Sequence, residues 1–429
     1  MKYFIPAFCL AAMLVSCKNS NSKLVDKAYA DSLISHYTLP RMVADNEKDM
    51  AFWKSRIDPK APRQVNESRY ASALVARFHQ FGDMNDVKQA EAILRNVNKT
   101  YSSTLASPFV ALTSLAMLTH HFAQADTLLQ KAKSLGIDGF TSGTLSFDVN
   151  FELGRYTAAN LYLKQLKKAG DYSYYFRRSK MDHFNTNIDS AISGMLKAAA
   201  LEKNVPYLSD IALSNAADLY IHAADLQKAA DLYKQCIKLN SADFHSIMGL
   251  GWVALVHDKN DTLAERLFRF VQSKNKLPDP LFKLYQMAQA RGDQSLEKKY
   301  ANEFITKATD TVYSRMYNKY IIEIYTGILN EPAKAEALAK SELNNRATPQ
   351  TYAWYAYTLF KNNKKTEGYK VFEQHISGQP LEGLELYYMG KLMKGLDKGY
   401  DAAEFFKAAD KNKYDLSPAM AKDLAANLD

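Results

Sequence analysis

The chain has 429 residues, 47% of them hydrophobic, and a formal net charge of +9 from 55 basic and 46 acidic side chains. Length alone would allow several globular domains. The basic excess is dispersed rather than gathered into blocks, which suits acidic partners or anionic membrane surfaces and excludes a polycationic tail.

Residues 1–16 stand outside the fold. Lys2 supplies a short positive region, Phe4 to Val15 is apolar, and the run is too short to cross a bilayer as a permanent helix. Leu14-Val15-Ser16-Cys17 resembles a bacterial lipobox, in which small residues before the cysteine let the signal peptidase reach the bond. Lys18–Lys23 then reads as a polar tether of the kind a lipid-anchored protein needs. The resemblance implies cleavage before Cys17, a palmitate-bearing lipid on that cysteine, and a place in the cell envelope. Lys18 is unlike the aspartate that retains many lipoproteins in the inner membrane. The tether also lacks the acidic residues that resemble a surface-export tag. The outer membrane, facing the periplasm, is therefore expected. With Cys9 removed and Cys17 lipidated, Cys236 is the only thiol left, so no intramolecular disulfide can form. Cys236 sits on an apolar helix face, as an inert core residue would. No other stretch approaches 18 consecutive apolar residues.

Residues 17–65 read as tether and N-terminal capping helices. Ala28–Tyr37 and Val43–Lys54 have partial helical patterning, which Asp58-Pro59-Lys60-Ala61-Pro62 breaks. From residue 66 to 411 a hairpin unit repeats, most clearly in Leu208–Asn240. Leu213, Ala216, Ala217 and Tyr220 fall at i, i+3, i+4 and i+7, Ala223-Ala224-Asp225 interrupts them, and a second apolar face follows at Ala229, Tyr233, Cys236 and Ile237. The small residue of the second helix recurs at Ala90, Ala125, Ala159, Ala191, Ala229, Ala264, Ala335, Gly368 and Ala402, with Lys298 in the gap after Ala264, in steps of 32 to 38 residues. This pattern of a small residue and an aromatic in each helix resembles the tetratricopeptide repeat, whose period is about 34. The resemblance implies an all-α fold, a right-handed superhelical solenoid of antiparallel helix hairpins, with about ten repeats over 66–411. Residues 412–429 are polar enough to close the end of the stack as a C-terminal cap.

Catalytic signals are poor. Gly249-Leu250-Gly251-Trp252-Val253-Ala254 has the letters of a dinucleotide fingerprint, but it lies inside a repeat helix and not in a strand-to-helix turn. Ser295-Leu296-Glu297-Lys298 has a serine–lysine spacing without companion motifs. His120 and His121 are adjacent, about 100° apart on a helix, and read as a turn pair. No H-E-x-x-H or C-x-x-C motif occurs. The expectation is no enzyme, no cofactor and no metal site. Asp171–Arg178 mixes aromatics with cations, which fits hairpin cores better than ligand stacking, and an exported chain has no nucleic-acid partner in prospect.

In the tetratricopeptide family the first helix of each hairpin lines the concave groove. On that basis Ser214, Asp218 and His222 are groove candidates, followed by Trp252, then Tyr357 and Lys361, then Tyr387 and Lys391. A stripe of aromatics and cations can hold an extended protein segment by stacking and charge. The expected function is a membrane-anchored protein-interaction scaffold or adaptor. The rival is a glycan- or nutrient-binding outer-membrane lipoprotein, which would need long ordered loops to build its pocket.

Overall fold

A computed structural model describes residues 23–58, 60–61 and 63–428. Among them are 23 α-helices, one short 3-10 turn and no strand. Two helices lead, α1 (Lys27–Ser35) and α2 (Arg41–Lys54). Ten hairpins follow: α3/α4 (Gln64–Phe81, Met84–Thr100), α5/α6 (Ala106–Leu118, Phe122–Ser134), α7/α8 (Gly139–Glu152, Tyr156–Leu166), α9/α10 (Tyr172–Phe184, Ile188–Leu201), α11/α12 (Pro206–His222, Leu226–Leu239), α13/α14 (Phe244–Val256, Asp261–Lys274), α15/α16 (Asp279–Arg291, Gln294–Ala308), α17/α18 (Asn318–Thr326, Pro332–Leu343), α19/α20 (Pro349–Lys361, Lys365–His375) and α21/α22 (Gly383–Lys394, Gly399–Asp410). The chain ends in a 3-10 turn, Lys413–Asp415, and α23 (Pro418–Ala425). Each helix packs chiefly on its chain neighbours. This is the all-α hairpin solenoid that the sequence predicts. No described helix is long and apolar enough to cross a membrane.

One local device makes every hairpin. Each turn places a single residue in the left-handed region: Gly82, His120, Gly154, Thr186, Ala224, Lys259, Gly292, Asn330, Asn363 and Asp397, with φ between 49° and 75°. The second helix starts at once, often capped by an acidic or amide side chain. Asp225 accepts from the Lys228 amide, Asn260 from that of Leu263 and Asp293 from that of Leu296. Five residues beyond the turn comes the closest helix–helix approach, at Ala125, Ala159, Ala229 and Ala264, all with no exposed surface. At Gly368 even a Cβ would lie 2.7 Å from the Ala356 carbonyl oxygen. The turn thus sets the register and corrects two positions inferred from spacing. Lys298 is exposed, and Glu297, buried and accepting from Gln289 Nε2 at 3.2 Å, takes that place. In the first hairpin the position falls to Val87, while Ala90 is buried one turn later.

The solenoid winds back onto itself. Lys276 to Asp83, Ser314 to His121 and His222 to Asp415 each join residues 193 apart. Turns of the early hairpins therefore touch connections between later ones. Lys276 N–H donates to the Phe81 carbonyl at 2.8 Å, and the Arg346 guanidinium bridges Glu342 at 3.2 Å and Glu152 at 3.6 Å.

Both chain ends do more than cap the stack. Leu24 and Val25, both buried, donate their amides to the Asp258 carboxylate, each at 2.9 Å. Lys234 Nζ donates to the Leu24 carbonyl at 2.8 Å, and Arg266 pairs with Asp31. The N-terminal segment so lies across the second helices α12 and α14, where its apolar residues find cover. The C-terminal segment turns inward, onto first helices.

Candidate functional site

The first helices present one stripe of side chains beside their core stripe. In the first two hairpins this stripe is mostly small and hydroxyl-bearing. Ser68, Ser72, Val75 and His79 follow one another along α3, and Ala111, Ser114 and Leu118 run along α5. Together with Asp148 of α7 and Phe176 of α9 they line an open cleft of about 750 Å³. Its floor is apolar (Val75, Leu115, Leu118, Phe176), and hydroxyls edge it. Asp148 is neutralised by Arg177 at 2.6 Å, and burial pushes the His79 imidazole down, so the cleft carries little net charge at neutral pH. Phe176 is the one residue of the Asp171–Arg178 aromatic–cation stretch that reaches it. None of these residues was expected from sequence to form a site. The signal available was the run of serines at helical spacing next to the core stripe.

The candidates read from sequence lie further along, and the structure gives all of them but Lys361 a partner inside the chain. Ser214 is buried, with its hydroxyl donating to the Ile211 carbonyl at 3.1 Å. Asp218 accepts from Tyr233 Oη at 2.6 Å and from His245 Nε2 at 2.9 Å. The carboxylate raises His245 to about 10 against the opposing effect of burial, which keeps it an imidazolium. Tyr357 is buried and stacked on Tyr388, ring centroids 3.9 Å apart. Lys361 is half-buried, and burial, then the Lys391 charge, pull its pKa down.

The remaining four, His222, Trp252, Tyr387 and Lys391, are held by the chain's own C-terminus. His222 Nδ1 meets the Asp415 carboxylate at 2.7 Å, and Asn412 Nδ2 donates to the His222 carbonyl at 3.1 Å. Trp252 Nε1 donates to the Tyr414 carbonyl at 2.9 Å, Tyr387 Oη to Asp423 at 2.6 Å, and Lys391 Nζ lies 3.0 Å from Asp423. From α15, Gln289 Oε1 accepts from Ser417 at 2.7 Å. Residues 412–428, expected only to cover the end of the stack, therefore fill the later half of the groove. The reason is geometric: after one winding of 193 residues the end of the chain arrives at α11. Cys17 lies outside the described residues.

Two further clusters gather titratable side chains. Lys283 stands 3.7 Å above the Trp252 ring, and burial lowers it to about 8; burial raises nearby Glu323 to about 7. Neither residue lines the cleft described above. Asp210, Cys236 and Asp243 bring one donor atom each within 4.8 Å, a set that could hold a cation. Burial raises the Cys236 thiol well above its usual range and Asp210 to about 7, so proton sharing satisfies the same cluster. Cys236 is fully buried, as its helix position predicts.

No protein-family model matches this chain, and no curated protein matches it. Among solved structures, a tetratricopeptide repeat protein from Parabacteroides merdae is 14% identical, covering 60% of this chain and 98% of its own, with a TM-score of 0.35. Yeast Tom70 is 12% identical, covering 93% of this chain and 96% of its own, with a TM-score of 0.36. The fold assignment rests on the chain's own hairpins.

Proposed function

We propose that this chain is a protein-interaction scaffold anchored in the bacterial envelope through lipid on Cys17, and that its N-terminal groove holds an apolar segment of another protein. The observation that carries the reading is the open, nearly neutral cleft of about 750 Å³ running across four first helices. Its floor offers apolar anchoring, and its hydroxyl edges suit the polar backbone of a bound segment. The longest connections between helices, residues 55–63 and 309–317, are too short to wrap a sugar pocket, which disfavours a glycan-binding reading. If Cys17 carries lipid, Lys18–Lys23 could span at most about 20 Å, so the solenoid would lie close to the membrane surface.

A photo-crosslinking side chain placed at Ser72 or Ser114 in intact envelopes should trap one and the same partner. The same probe at Lys238, exposed on a second helix, should trap nothing. Leu118→Asp, with helix content unchanged by circular dichroism, should abolish the adduct. Equal labelling from all three positions would remove the groove from the proposal. For the anchor, Cys17→Ala should lose both membrane partition and palmitate label; a variant that still fractionates with membrane, beside an unlabelled native chain, would refute it.

A further inference from the structure

The C-terminal segment resembles a bound ligand more than a structural cap. It contacts first helices of four hairpins, α11, α13, α15 and α21, of which only the last adjoins it in sequence. Its contacts have a two-part grammar. Asp415-Leu416 and Asp423-Leu424 are two aspartate–leucine pairs eight residues apart. In each pair the aspartate meets a cationic or donor group of the groove, His222 for the first, Lys391 and Tyr387 for the second. In each pair the leucine is buried to 1% exposure. Between them Ser417 caps α23, accepting from the Met420 amide, and donates to Gln289. A recognition surface that reads charge and an apolar side chain twice, at fixed spacing, is built for a particular segment.

Beside the segment, against the α13–α14 turn, an open surface pocket of about 510 Å³ is lined by Val256, His257, Lys259, Leu416, Pro418 and Lys422, so one flank of the segment faces solvent rather than the stack.

We propose that the later half of the groove is a second binding site, for a partner segment carrying two aspartate–leucine pairs spaced as here, and that residues 412–428 occupy it in cis as a displaceable stand-in. The site is separate from the N-terminal cleft, so it stands or falls without the scaffold reading. A competing cis ligand lowers apparent affinity by the fraction of chains whose groove is free. Weakening the stand-in while leaving the groove intact should therefore tighten binding of the same sequence in trans.

The test uses the full chain and a fluorescent synthetic peptide of residues 411–428. In the double variant Asp415→Asn, Asp423→Asn, peptide affinity should rise at least about ten-fold over the native chain. Amide exchange across 412–428 should quicken while α19–α22 keep their protection. A peptide with both leucines changed to alanine should not bind. Equal, undetectable binding to both chains, with 412–428 as protected as α21, would make the segment a permanent cap and overturn the proposal. Should the double variant fail to fold, the native chain decides. A large excess of unlabelled peptide should then quicken exchange at 412–428 alone, and unchanged exchange would overturn the proposal equally.

Discussion

The two halves of the groove share one backbone plan and differ in what they present. Along α3 and α5 the stripe is mostly serine, alanine, valine and leucine, Asp148 and Phe176 continue it on α7 and α9, and the cleft stands open. From α11 to α21 it holds Trp252, Tyr387, His222 and Lys391, and the chain's own end covers it. A repeat scaffold fixes where a stripe lies, and the side chains at a few positions per hairpin decide what it holds. Small uncharged residues leave space, whereas large residues with a polar tip demand a partner once buried. The chain's end supplies that partner here.

The largest expected effect breaks the filled half. Tyr387 is buried, and its hydroxyl donates to Asp423. Tyr387→Ala removes a packed ring and leaves Asp423 with Lys391 and Asn427 alone, so it should cost roughly 3–5 kcal/mol in denaturant unfolding. Val75→Ala, on the floor of the open half, should cost about 1 kcal/mol or less, since its site is already partly solvated. Similar losses from the two would mean that the open cleft is packed as tightly as the covered one.

A smaller effect tests how the halves meet. Gly82 in the first hairpin turn has φ 68°, and a Cβ there would lie 2.6 Å from Leu277 Cγ in the next winding. Gly292, in a later turn with φ 70°, has nothing within 4 Å. Gly82→Ala should therefore combine left-handed strain with overpacking and cost about 2–4 kcal/mol. Gly292→Ala should show the strain alone, about 1–2 kcal/mol. Equal melting shifts would show that the windings do not press on each other at Gly82.

How far the sequence reveals this arrangement follows from the range of each signal. The hairpins are legible because helix periodicity, the turn and the small residue all lie within one unit, as in Leu208–Asn240. Counting residues rather than starting from the turn put the small position on Lys298, one residue past Glu297, because connections vary in length. That Trp252, Tyr357 and Tyr387 lie on first helices is legible too. What covers Trp252 and Tyr387 is not. Contact between His222 and Asp415 is the sum of small rotations over several hairpins, and no local pattern encodes a sum. Leu416 and Leu424 look unremarkable in a polar tail until the groove arrives beneath them. The open cleft is not legible either, because serines and alanines at helical spacing serve equally well as an ordinary solvated face.

The smallest effect concerns the latch at the boundary of the two halves, and its sign can be worked out. Burial disfavours the charged form of His222, but the Asp415 charge and hydrogen bond, with Glu382 and Asp218 behind them, outweigh it and raise the imidazole to about 9. The neighbouring His183 is pushed down, first by burial and then by His222, and stays neutral near pH 7. A folded-state value above the unfolded one of about 6.5 means that His222 stabilises the closed segment fully below pH 6.5 and loses that contribution as pH rises through 9. Its side chain is 23% exposed, so the contribution is at most about 1–3 kcal/mol. Lys283 discharges over the same window, near 8, and does not touch the segment's carboxylates within hydrogen-bond reach. Amide exchange, corrected for its intrinsic pH dependence, should therefore show residues 412–428 opening more readily at pH 9.5 than at pH 6.5. The open N-terminal half, where His79 is already neutral at pH 7, should not change. His222→Gln should flatten the response of the segment. A response that survives in that variant would assign the alkaline opening to Lys283 instead.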